Sequence, residues 1–68
     1  MINWQKVYST DKHHRAELVK DVLADNQIEA VIINKKDSSY HFGEFEIHVT
    51  RDNVIKALKI IEDEIKFE

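Results

Sequence analysis

The sequence contains no cysteine, no proline and a single glycine, Gly43, among its 68 residues. Without cysteine there is neither a disulfide framework nor thiolate chemistry, which fits a reducing cytoplasm. No apolar run approaches the ~20 residues that a membrane helix needs, so no membrane partner is expected. The first residues, Met1-Ile-Asn-Trp-Gln-Lys6, carry no hydrophobic signal core, and no export is expected either. Linkers, internal repeats and low-complexity segments are also missing, so residues 1–68 read as a single α+β domain.

What is present suits a small folded chain. Apolar residues make up 43% of the sequence, which argues against disorder. A domain of this size buries only roughly 60% of the surface its unfolded form exposes, so modest stability is expected. Oligomerisation is a common remedy at this size. Ten basic and 13 acidic side chains give a formal charge of −3, which disfavours a surface that tracks nucleic-acid phosphates.

Hydrophobic periodicity orders the elements. Gln5 to Ser9, with Val7 and Tyr8, predicts a short first strand, extended by Trp4. Ser9, Thr10 and Asp11 offer capping oxygens to a helix running from about Lys12 to Asn26. Its apolar stripe is Ala16, Val19, Val22 and Leu23, with Leu18 alongside. Asn26-Gln27 closes that helix. Ile28 to Asn34 predicts a second strand, apolar on both alternations at Ala30-Val-Ile-Ile33. Glu44 to Thr50 alternates strictly, placing Phe45, Ile47 and Val49 on one side and Glu44, Glu46, His48 and Thr50 on the other. A second helix follows a cap at Thr50 to Asn53, with Val54, Ala57, Leu58, Ile61 and Ile65 at helical spacing and Ile55 on the flank.

The order is β-α-β-β-α. A right-handed crossover sets the first two strands parallel, with room for one strand between them. The third strand fills that gap, giving a three-stranded antiparallel sheet of order 1-3-2 with both helices on one face. This is a ferredoxin-like arrangement without its fourth strand. Only Phe67 and Glu68 remain beyond the second helix, so the outer edge of the first strand is expected to be open.

Five segments resemble a known family. They are Trp4…Val7-Tyr8-Ser9-Thr10, Ala16-Glu-Leu-Val-Lys20, Gln27-Ile-Glu-Ala30, Asn34-Lys-Lys-Asp-Ser-Ser39 and Gly43-Glu-Phe-Glu-Ile-His-Val49, with Asp52 and Ala57 in the last helix. On these residues the chain resembles the small bacterial proteins grouped as putative prokaryotic signal-transducing proteins. The resemblance spans nearly the whole chain, and it implies a fold like that of the PII (GlnB-like) regulators and a role in signalling. Gln27 departs from the family pattern, standing where a glycine more usually ends the first helix.

Two regions are candidate sites. The polar stretch Asn34-Lys-Lys-Asp-Ser-Ser-Tyr-His-Phe-Gly-Glu44 predicts a long loop, whose Lys35, Lys36, Asp37, Ser38, Ser39 and Tyr40 suit a protein partner or a small anionic metabolite. The bland alternative is a solvated hairpin in which Asp37 caps a turn. The uncovered sheet face is the second region. If Val7 faces the helices, parity puts Trp4 and Tyr8 on that open face, an amphipathic patch for partner binding or homodimerisation. Otherwise both aromatics finish a small core.

Other chemistries are set aside. His13, His14, His41 and His48 lack metal-ligand spacing, since adjacent helical residues diverge by ~100°. Asp37, Ser38, Ser39 and His41 are triad residue types crowded into one loop without a rigid frame, so neither an enzyme nor a cofactor is expected. On the central strand, Glu44 and Glu46 would repel phosphate, and no nucleic-acid partner is expected.

Overall fold

The computed structural model describes residues 3–37 and 42–65, the side chains of residues 36, 37, 42 and 43 excepted. Its elements are β1 (Trp4–Thr10), α1 (His13–Asp25), β2 (Ala30–Asp37), β3 (Phe42–Thr50) and α2 (Val54–Glu64), with a turn of 3-10 helix at Arg51–Asn53. The strands form one antiparallel sheet of order β1-β3-β2, as the alternation and the crossover rule require. Phe67 and Glu68, on which the expectation of no fourth strand rested, lie outside the described residues.

One core holds the two layers together. Ala16, Val19 and Leu23 of α1 are buried with Ile28, Ala30, Ile47, Val49 and Ala57 of α2. Both helices therefore pack on the same sheet face. α2 contributes less than its pattern predicts. Ala57 is its one fully buried residue, with Val54, Ile60, Ile61 and Ile65 packed against the core. Leu58, expected on the stripe, sits at its margin and is half exposed, because ~100° per residue carries it past the contact line. Leu18 is similarly half exposed on α1.

The helix ends differ in detail from the sequence expectation. Lys12, not a hydroxyl residue, is the N-cap of α1, and Thr10 Oγ1 instead accepts the Lys12 N–H at 3.1 Å. At the other end Gln27 takes φ 61°, the left-handed conformation that a glycine would adopt without strain. Its N–H reaches the Ala24 carbonyl at 3.0 Å, and the Ile28 N–H reaches Leu23 at 2.9 Å. That pair of bonds is a Schellman ending, and it brings the apolar Ile28 beside Leu23 in the core. Burial of Ile28 and Leu23 offsets the strain at Gln27. α2 likewise has no side-chain cap, its entry being made by the 3-10 turn, where Asn53 Nδ2 donates to Thr50 Oγ1 at 3.1 Å.

Two corrections concern the strands. The stretch expected as a long loop is mostly ladder: Asn34 pairs with Phe45, Lys35 with Glu44, Lys36 with Gly43 and Asp37 with Phe42. The pairing simply continues beneath the polar residues: Lys35 falls on the uncovered face, where a strand tolerates a charge, and Asn34, on the helix side, is exposed. The second correction is a bulge. Lys6 pairs with His48, but Tyr8 pairs with Ile47, so Val7 is an extra residue in β1.

Candidate functional site

The bulge decides which residues share the open face. Directly opposed residues in an antiparallel pair lie on the same side of the sheet. Ile47 is in the core, so its partner Tyr8 turns toward the helices, and Val7 and Tyr8 both pack against the core. Neither alternative left by the sequence holds for both aromatics: Tyr8 is on the core side, and Trp4 is not on the same side. Before the bulge Trp4 opposes Thr50 and Lys6 opposes His48; after it Ser9 opposes Glu46. The open face of β1 thus presents Trp4, Lys6 and Ser9.

On β2 the sequence left two alternations open. Ala30 and Ile32 oppose Val49 and Ile47, and so face the core. Val31, Ile33 and Lys35 oppose His48, Glu46 and Glu44 on the other side. The open face therefore carries Trp4, Val31 and Ile33 around a polar centre.

That centre is Glu46. No helix covers it, yet its side chain is only 7% exposed, and it is the buried polar residue of the described chain. His48 Nε2 lies 2.9 Å from Glu46 Oε1, an ordinary charge-assisted hydrogen-bond length. Lys35 Nζ stands 3.5 Å from the same oxygen, and Lys6 Nζ stands 3.8 Å from Oε2. One carboxylate thus gathers side chains from all three strands. Lys35 reaches diagonally to Glu46 rather than to Glu44, its partner in register.

The hydrogen bond from His48 holds the Glu46 carboxyl below the usual glutamate range, against the opposing effect of burial, and Lys35 and Lys6 add to the depression. With Glu46 ionised, Nε2 of His48 is the donor. Nδ1 is buried and has no hydrogen-bond partner among the described residues. From its outward position alone, Glu46 was expected to repel phosphate. Its charge is instead compensated internally, and what reaches solvent is the pair of lysines, 52% and 62% exposed.

The predicted site residues divide into three groups. Trp4 lies on the open face, one of the two places the sequence allowed it, and Lys35, expected in a loop, lies on that face as a strand residue. Lys36 and Asp37 end β2, and Tyr8 belongs to the core side. Ser38, Ser39 and Tyr40 lie outside the described residues. Lys6, Glu46 and His48 were missed as a group. Glu46 and His48 were assigned the outward parity, but only the strand register could bring Lys6 to them.

The remaining chemistry is sparse. His13 Nε2 lies 3.3 Å from Glu17 Oε1, and its ring packs 5.0 Å from that of Phe45. His41 is outside the described residues. Among those described, no three His, Cys, Asp or Glu side chains are grouped to hold a metal ion. No described helix is long and apolar enough to cross a membrane.

Comparison with known proteins adds one match. The sequence model of a family described as "Putative prokaryotic signal transducing protein" matches residues 4–65. No curated protein and no solved structure matches the chain.

Proposed function

The chain belongs to the family of putative prokaryotic signal transducing proteins, and from that premise we propose a small non-enzymatic regulatory module. It recognises a protein partner or a small anionic metabolite through the open sheet face and the adjoining end of the β2–β3 hairpin, residues 34–43. The observation that carries this reading is the face itself. Trp4, Val31 and Ile33 give apolar contact area there, beside two accessible ammonium groups fixed over Glu46. Aromatic and aliphatic side chains around a few placed charges are the usual makings of a recognition surface. A cytoplasmic location accompanies this reading, in keeping with the lack of cysteine.

Homodimerisation, through the same face or the outer edge of β1, is the alternative. The bulge at Val7 weighs against the edge, because bulged edges are poor templates for a further strand. Light scattering at high concentration separates the alternatives, since a single-chain molar mass removes the dimer.

The test of the recognition reading is an amide chemical-shift map of labelled protein with bacterial lysate fractions and pooled phosphorylated metabolites. Saturable shifts on β1, β2 and β3 that Trp4→Ala weakens support it. Binding that leaves the open face and the hairpin end unshifted overturns it.

A further inference from the structure

Glu46 is surrounded by more donors than it uses. Only His48 approaches it at ordinary hydrogen-bond range. The two ammoniums stand off at 3.5 and 3.8 Å, held by charge more than by directed bonds. An ammonium carries several N–H donors and no acceptor, so each lysine keeps donors free for solvent or another ligand. The two cations share the Glu46 carboxylate, and Glu44 stands apart from it, opposite Lys35 in register.

The geometry is built rather than incidental. Lys6 comes from β1 and Lys35 from β2, the two outer strands, and both lean inward over the central strand toward the same side chain. Both lysine side chains are more than half exposed, while the Glu46 side chain they approach is 7% exposed. Glu46 holds the two ammoniums at a set separation, one on each of its oxygens. Trp4 and Val31 flank the pair from the strand positions next to Lys6 and His48 on the same face.

We propose that Lys6 and Lys35 form a two-point site for a small oxyanion, a carboxylate or a phosphate group, which bridges them above the buried Glu46. The inference rests on the open face being a recognition surface, and it names the chemistry taken there. The bound oxyanion accepts one or more N–H bonds from each lysine, and Glu46 keeps both ammoniums turned inward in the free protein. Preorganisation of this kind lowers the ordering cost of binding. Glu44, exposed on the same face opposite Lys35, disfavours ligands whose negative charge extends toward the hairpin end. The site therefore selects compact anions.

The experiment is a titration of labelled protein with inorganic phosphate and, separately, with succinate, at ionic strength held constant by sodium chloride. Saturable amide shifts at Lys6, Lys35, Glu46 and His48 are expected with one of the two. The effective anion tells phosphate from carboxylate recognition. Lys6→Met and Lys35→Met keep the stems and remove the charges, and each is expected to weaken binding about tenfold or more. Shifts no larger than those produced by chloride overturn the proposal, as does binding that both variants leave intact. Saturable shifts at residues 36–43 with none at Lys6 also overturn it, while leaving the broader recognition reading standing. Both lysines are exposed, so the variants are expected to fold, and unchanged amide dispersion checks this.

Discussion

β3 is buried on both sides, by two different chemistries. Ile47 and Val49 face the helices and are fully enclosed by apolar side chains. Glu46 and His48, one residue out of phase, face outward, and the Glu46 carboxylate is held by His48, Lys6 and Lys35. The first side gains stability from dehydration and close packing, which involve no titrating group. The second depends on a charge balance that solvent can reach. Only that second side has a state that a dissolved ligand or proton can change.

The comparison breaks most severely on the dry side. Ile47→Ala removes a fully buried side chain facing Tyr8 and Ile32, and should cost about 3 kcal/mol or more in urea unfolding. A loss under ~1 kcal/mol would mean that the layer collapses around the gap. The polar side should yield to acid. The Glu46 carboxyl has a lower pKa folded than unfolded, so its contribution is fully present above the unfolded value of about 4.3. That contribution is lost as pH falls through the folded value. Unfolding midpoints measured from pH 6 to pH 3 should fall for the parent and fall less for Glu46→Gln. Parallel curves would show that Glu46 has no such role. Lys6→Ala should have the smallest effect, a fraction of that of Ile47→Ala, and added salt should reduce it further. An effect that survives molar salt would mean the lysine stem, rather than its charge, is what matters.

The two sides were also unequally legible in the sequence. Strict alternation from Glu44 to Thr50 identified Ile47 and Val49 as core, because apolar burial leaves a period that needs no partner strand to be read. The Ala16, Val19, Leu23 stripe was plain for the same reason. The Glu46 cluster was not, since its members lie on three strands and meet only through register. Trp4 and Tyr8 were tied to one side because parity counts residues, and a bulge adds one without any mark in composition. The supposed loop at Asn34 to Asp37 misled in another way. Lysine, asparagine and aspartate are poor strand formers on average, but pairing with β3 overrides that weak preference. Residue 27 showed that family pattern and local physics agree on a demand, a left-handed φ, that this chain meets with glutamine.

The strand order has a kinetic consequence. β2 and β3 are neighbours in sequence, and their pairing closes only the short connection at residues 38–41. β1 reaches its place beside β3 only after α1 and the entire hairpin have been spanned. Closure entropy and search time both grow with that separation. The Lys35–Glu46 contact therefore forms early, within a local hairpin, and Lys6 arrives with the last strand to dock. Trp4, the sole tryptophan, travels on that strand, so its fluorescence should lag behind amide protection at Ile33 during refolding. Simultaneous signals would instead place β1 in the nucleus. Assembly of the open face is the final event of folding, and loss of β1 its simplest route to local unfolding.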